Sequence, residues 1–135
     1  LVVNMVDSID HIVSTVSNMD KTIDFYFKQL GMKLEEFTSD PNLGSRKCLK
    51  FGNQKINLHS VDKLIKGAHV AIPGTADICF ISSRPIEDWI KQFKKNSVEI
   101  ELGPTLQVGA TSTLKSIYIR DPDLNLIEIS NKIES

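Results

Sequence analysis

Hydrophobic and polar positions along this chain run through the same plan twice. Ile9 to Val16 is rich in β-branched and apolar residues and predicts a largely buried strand. Met19, Ile23, Tyr26, Phe27 and Leu30 then recur at helical spacing and predict one apolar stripe. Ser17 supplies a capping oxygen before that helix, Asp20 suits its dipole, and Gly31 can take the left-handed conformation that ends it. Strands are expected at Met32 to Phe37, Lys47 to Phe51 and Lys55 to His59. A loop from Ser39 to Ser45 and a tight Gly52-Asn53-Gln54 turn separate them.

Val61 to Thr75 interrupts this order with lysines, Gly67, His69, Pro73 and Gly74, and reads as a long linker; linkers of this length in small domains often cover a site or an interface. The plan then restarts. Ala76 to Ile81 predicts a strand, and Ser83 caps a helix whose Pro85 suits the first turn. Ile86, Trp89, Ile90 and Phe93 form its apolar face, and Asn96 is expected as its left-handed terminator. Val98 to Leu102 reads as a strand, Gly103 to Thr113 as a loop, Leu114 to Arg120 as a strand, Asp121-Pro122-Asp123 as a turn, and Leu126 to Ser130 as the last strand. Each half is β-α-β-β-β. The fold class is therefore α+β with two tandem βαβββ modules, not a doubly wound parallel sheet. The expected organisation is a tail or leading strand over 1–8 and one domain over 9–131. That domain comprises a module at 9–60, a linker at 61–75 and a module at 76–131, before a short tail at 132–135.

Four strand positions carry chemistry where core residues are expected. His11 and His59 lie 48 positions apart, and Asp77 and Glu128 lie 51 apart, at comparable places in the two modules. Alternation puts His11 on a face with Val13 and Thr15, Asn57 with His59, Asp77 with Cys79, and Glu128 with Ser130. An isolated buried carboxylate is costly, and a divalent cation would satisfy imidazole and carboxylate donors together. Taken singly, each has a plainer reading: a hydrogen-bonded histidine, a strand start at Asp77, a turn residue at Asn57, or a solvent-facing glutamate. The matched positions favour the joint reading.

Composition narrows the function classes. The chain has 135 residues, 41% apolar, enough for a real core, and a net charge of −1 with 24% charged residues. Without a basic run or arginine stripe, nucleic acid and anionic membranes are poor partners. No apolar run approaches the ~20 residues that span a bilayer. Cys48 and Cys79 read as reduced core residues of a cytoplasmic protein. There is no glycine-rich phosphate loop, nucleophile elbow or Cys-x-x-Cys pair.

Ile9-Asp10-His11-Ile12-Val13, the helix Lys21-Thr22-Ile23-Asp24-Phe25-Tyr26 and Leu30-Gly31-Met32 resemble the vicinal oxygen chelate (VOC) superfamily of glyoxalases, bleomycin- and fosfomycin-resistance proteins and extradiol dioxygenases. The ending Tyr118-Ile119-Arg120-Asp121-Pro122-Asp123-Leu124-Asn125-Leu126-Ile127-Glu128 is similar to that family's closing motif, with Leu124 where glycine is usual. Phe51 to His59 and Pro73-Gly74 resemble small glyoxalase-domain proteins, some of them virulence-associated. The resemblance implies curved mixed sheets around a central cleft and a divalent metal ion (Ni, Zn, Mn, Co or Fe). Its implied ligands are His11, His59, Asp77 and Glu128. Asp77 stands where the family usually has histidine. Asn57 aligns best with the usual ligand position on the first module's last strand, and His59, two residues on, is the better donor. Asn57, Tyr118 and Arg120 are implied substrate contacts, and Glu128 an implied catalytic proton carrier.

The activity implied is that of a metal-dependent glyoxalase-like enzyme of lyase, isomerase or thiol-transferase type. Its substrate would be a small oxygenated metabolite or thiol conjugate. A non-catalytic binder of bleomycin-resistance type, walled by Tyr118 and the 103–113 loop, is the alternative. An iron(II) dioxygenase is the second. A homodimer is expected.

Overall fold

The computed structural model describes residues 5–63 and 66–133. Its elements are β1 (His11–Val16), α1 (Met19–Leu30), β2 (Lys33–Phe37), a 3-10 turn (Pro41–Leu43), β3 (Arg46–Phe51), β4 (Gln54–Ser60), β5 (Asp77–Ile81), α2 (Ile86–Lys95), β6 (Leu102–Val108), β7 (Thr113–Arg120) and β8 (Leu126–Ile133). The chain divides into two compact units, Leu1–Pro73 and Gly74–Ser135. Each holds one four-stranded mixed sheet, in the order β1-β4-β3-β2 in the first and β5-β8-β7-β6 in the second. In both, the first strand runs parallel to the last and the remaining pairs are antiparallel. The α+β architecture and the repeated βαβββ order agree with the expectation from periodicity.

In the first unit the face opposite His11 is apolar. Val16, Leu49, Ile56 and Leu58 are at most 3% exposed, and α1 packs on β2 and β3. Tyr26 and Thr22 are buried on α1, whereas Phe27, placed by spacing on the apolar stripe, is 59% exposed. The helix begins one residue later than Ser17 suggests: Asn18 Oδ1 accepts from Lys21 N–H at 3.0 Å. Gly31 ends it with φ +70°. Residues 5–10 form no regular element, and the rest of the expected leading strand lies outside the described residues.

In the second unit α2 packs on β7 and β8, burying Ile86, Trp89 and Phe93 against Ile117, Ile119, Ile127 and Ile129, all at most 8% exposed. Ser83 does not cap this helix. Pro85 occupies the cap position without a side-chain hydrogen bond, and Asn131 Oδ1 of β8 accepts from Ile86 N–H at 2.8 Å. Asn96 has φ −93°, and the left-handed residue is Ser97 at φ 57°.

The largest departure from expectation is β6. Residues 103–108 belong to a strand, and residues 98–101 do not. The Gly103-Pro104 pair reads as loop by composition, yet β6 is an edge strand whose register slips between Leu102 and Thr105, where a proline is tolerated. Gly103 is required there, because a Cβ would come within 2.5 Å of the Ser116 carbonyl oxygen. β8 also runs past Ser130 to Ile133.

Candidate functional site

Alternation along β5, β7 and β8 turns Asp77, Cys79, Ser116, Tyr118, Glu128 and Ser130 away from the helix face of the second sheet. Glu128 lies opposite Tyr118 on β7 and opposite Cys79 on β5. The Ser116 and Ser130 hydroxyls both donate to Glu128 Oε2, at 2.6 and 3.1 Å. They also lie 2.7 Å from each other, and both serines are fully buried. Cys79 Sγ is 3.3 Å from the Ser130 hydroxyl. The carboxylate is thus fixed by neutral donors, with no cation paired to it among the described residues.

This face opens into a cavity of about 490 Å³. Glu128 and Tyr118 form one wall, and Gln107 to Ser112, at the β6–β7 turn, form another. Ile81, Val108 and Leu114 make it apolar at the sides, and Lys132 stands at its edge. Burial pushes the Tyr118 phenol up to about 12, and the charge of Glu128 and a hydrogen bond to it add to the effect. Burial also raises the Cys79 thiol, against a hydrogen bond from Ser130 that lowers it, with the Glu128 charge raising it further. Cys79 is a free thiol whose part-buried sulfur lines the cavity, and not the core residue expected, while Cys48 is buried.

In the first unit, strand register sets which positions correspond. Asn57 pairs with Val13, two residues after His11, just as Glu128 pairs with Cys79, two residues after Asp77. Asn57 is therefore the counterpart of Glu128, and His59 is the counterpart of Ser130. His11 is exposed, with Nδ1 2.8 Å from Asp10 Oδ2. That bond places the proton on Nδ1 and leaves Nε2 as a lone-pair donor, an arrangement common among metal-binding histidines. Asn57 is 5% exposed, and its Oδ1 is buried without a hydrogen-bond partner. His59 is 7% exposed and its Nε2 accepts from Arg46 Nη2 at 2.5 Å. A guanidinium can only donate, so this bond engages the Nε2 lone pair and puts the imidazole proton on Nδ1. Burial lowers the His59 pKa, and the Arg46 charge lowers it further.

Donors of the kinds that bind a divalent ion are present in each unit: the His11 imidazole and the unpartnered Asn57 amide oxygen in the first, the Asp77 and Glu128 carboxylates in the second. Among the described residues, no group of three or more His, Cys, Asp and Glu side chains converges closely enough to hold one. Of the expected substrate contacts, Tyr118 joins Glu128 in the cavity wall. Arg120 does not line it; its Nε and Nη2 hold both oxygens of Glu101 at 3.1 and 2.9 Å, and Nη1 donates to the Leu124 carbonyl at 3.2 Å. Sequence reading passed over Ser116, whose only signal is its place in Leu114-x-Ser116-x-Tyr118, facing the same way as Glu128.

The Asp121-Pro122-Asp123 turn serves as scaffold. Asp121 Oδ1 accepts from the Asp123 and Asn125 N–H groups, each at 2.9 Å, and Oδ2 from Asn125 Nδ2 at 2.8 Å. Asn125 Oδ1 then accepts from Ala76 N–H at 2.8 Å, which aligns β5 beside β8 and places Asp77 and Cys79 in register with the Glu128 strand. Among the described residues no helix is long and apolar enough to cross a membrane.

Comparison with known proteins accords with this architecture. The chain is 45% identical over 130 residues to the virulence protein STM3117 of Salmonella typhimurium, covering 96% of this chain and 87% of that protein. The crystal structure of STM3117 superposes with a TM-score of 0.89 at 44% identity, over 96% of this chain and 100% of that one. The glyoxalase domain-containing protein RDO1 of Mycosarcoma maydis is 44% identical over 127 residues, 93% of this chain and 69% of that protein. The metallothiol transferase FosB of Staphylococcus haemolyticus is 30% identical over 128 residues, 93% of this chain and 84% of that protein. The family model of the Glyoxalase/Bleomycin resistance protein/Dioxygenase superfamily matches residues 8–129, and the chain belongs to that family.

Proposed function

We propose that this protein is a metal-dependent, glyoxalase-like enzyme of lyase, isomerase or thiol-transferase type that acts on a small oxygenated metabolite or thiol conjugate. The observation that carries this reading is Glu128, a carboxylate held by two buried hydroxyls on the wall of a cavity of about 490 Å³. Such a volume matches small-molecule sites. The similarity to a metallothiol transferase supports a thiol-conjugate substrate.

Glu128 is assigned the proton work: it takes a proton from a carbon beside a carbonyl and returns it to the adjacent one. Ser116 and Ser130 keep its carboxylate aimed. The Tyr118 phenol, protonated up to about pH 12, donates a hydrogen bond to oxygen charge that develops on the substrate. When bound, a divalent ion would supply Lewis-acid stabilisation of that oxygen. The residues assigned to hold it are His11, Asp77 and Glu128, with Asn57 the further donor, since Nε2 of His59, the alternative ligand, is engaged by Arg46. A cytoplasmic homodimer completes the proposal; a monomer by light scattering at micromolar concentration would reject the dimer.

The test is metal analysis of protein purified without chelator, followed by metal titration of His11→Ala and Glu128→Ala. Near-stoichiometric metal, with weaker affinity in both variants, is expected. Metal-free wild type with affinities unchanged in the variants would overturn the metal-dependent reading. The apolar side walls and Tyr118 favour a second reading, a non-catalytic binder of a small hydrophobic compound. A ligand-induced rise in melting temperature that is indifferent to chelator, with no turnover, would select it.

A further inference from the structure

The face of the first sheet turned away from α1 carries two cations with no carboxylate partner among the described residues, Arg46 and Lys55. Both gather on one aromatic ring. The Arg46 guanidinium carbon is 5.1 Å from the centroid of Phe37, and Lys55 Nζ is 4.0 Å from it. Arg46 lies opposite Phe37 in the ladder. Lys55 reaches the ring from β4, two strands away in the sheet order β4-β3-β2. A ring holds such cations in place but leaves their like charges to repel each other. The nearby carboxylate on this face, Glu35, is already shared by Lys33 and Lys50 at 3.8 Å each.

Two further atoms point the same way. Arg46 spends its two Nη groups on His59 and Ser39, while its Nε is buried without a partner. Asn57 is a diagonal ladder neighbour of Arg46, and its Oδ1 also lacks a partner. Diagonal neighbours stand roughly 7–8 Å apart, within reach of one small ligand. A guanidinium donor, an ammonium and an acceptor oxygen together match a group with anionic oxygens and a hydroxyl beside them.

We propose that this face of the first sheet binds the oxyanion group of a small ligand, a carboxylate, phosphate or phosphonate, between Arg46 and Lys55. This goes beyond the Glu128 chemistry and shares with it only Asn57, whose Oδ1 serves either a metal ion or the ligand's hydroxyl. The oxyanion relieves the repulsion between the two cations. Arg46 supplies direction through Nε–H, its one uncommitted donor, Lys55 supplies charge, and Phe37 holds both in place. His59, accepting from Arg46 Nη2, orients the guanidinium without competing for the anion.

The experiment follows the Arg46 Nε–H resonance of the ¹⁵N-labelled protein in a chloride buffer free of oxyanions, while inorganic phosphate, methylphosphonate or acetate is added at constant ionic strength. A saturable shift is expected with at least one of the three, and the strongest arm identifies the group. Lys55→Gln, assigned because it leaves the guanidinium network intact, should weaken that binding by roughly 5-fold. Arg46→Lys, which lacks that resonance and is followed instead through the Asn57 side-chain amide, should weaken binding by roughly 10-fold or more through loss of the Nε–H donor. Glu128→Gln should leave it unchanged, so failure of the Glu128 reading and failure of this one are separable. No saturable shift with any of the three anions, or equal affinity in wild type and Lys55→Gln, would overturn the proposal.

Discussion

The Ser116 hydroxyl donates to Glu128 Oε2 at 2.6 Å across a diagonal of the β7–β8 ladder, where Ser116 stands opposite Ser130 and Glu128 opposite Tyr118. The charged acceptor makes this bond stronger than a neutral one, and Ser116 is wholly buried. Ser116→Ala is therefore expected to lower stability by roughly 1.5–3 kcal/mol. A double-mutant cycle with Glu128→Gln in urea unfolding should show coupling of about 1 kcal/mol. Strict additivity would mean that the serine does not hold the carboxylate.

Tyr118 should remain a phenol well into alkaline solution. Its folded value lies above the ordinary one, at about 12. Whatever stability the neutral phenol contributes is then complete below about pH 10, the unfolded value, and is lost as pH rises from there through 12. The ¹³Cζ resonance of Tyr118, assigned with Tyr118→Phe, checks this in chelator-treated protein. In Glu128→Gln the midpoint should fall, since a neighbouring negative charge has been removed. A wild-type midpoint near 10 would contradict the geometry.

His59 sets an acid limit. Its pKa is lowered by burial and by Arg46, so the unfolded chain takes up a proton before the folded one does. The stability associated with neutral His59 is present above the ordinary value of about 6.5 and is lost as pH falls below it toward the depressed folded value. Urea unfolding of metal-free protein at pH 7.5 and at pH 5 should therefore show a larger loss in wild type than in His59→Gln. Equal losses would place the acid sensitivity elsewhere.

Leu124 occupies the left-handed region at φ 65° and is 69% exposed. It bears backbone strain with little burial in return. Leu124→Gly should raise stability by about 0.5–1 kcal/mol, the relieved strain outweighing glycine's added freedom in the unfolded chain. Thermal melting would show it, and a lower melting temperature would mean that the leucine side chain contributes packing.

Asn131 joins β8 to the start of α2. Besides the bond to Ile86 N–H, its Nδ2 donates to the carbonyls of Ser82 and Arg84 at 2.9 and 2.8 Å. Asn131→Ala should cost roughly 1–3 kcal/mol, because it removes a cap and leaves backbone groups unpaired. Asn131→Asp should recover part of the loss through the Ile86 bond alone. Circular dichroism during urea unfolding gives both numbers.

The sequence by itself determined the two rounds of strand, helix and three strands, the apolar face of α2, and the placement of polar residues on alternate strand positions. These follow from periodicity, a local property of the chain that burial enforces residue by residue. Tertiary structure alone decided that Gly103 to Val108 is an edge strand and that Asn131 caps a helix 45 positions earlier in the chain. It also decided that Arg120 is spent on Glu101 and His59 on Arg46, while Glu128 rests on two serines. The physical reason is common to all of these. Register and hydrogen-bond partners are set by neighbours brought together across a sheet, and no window along the chain contains both partners.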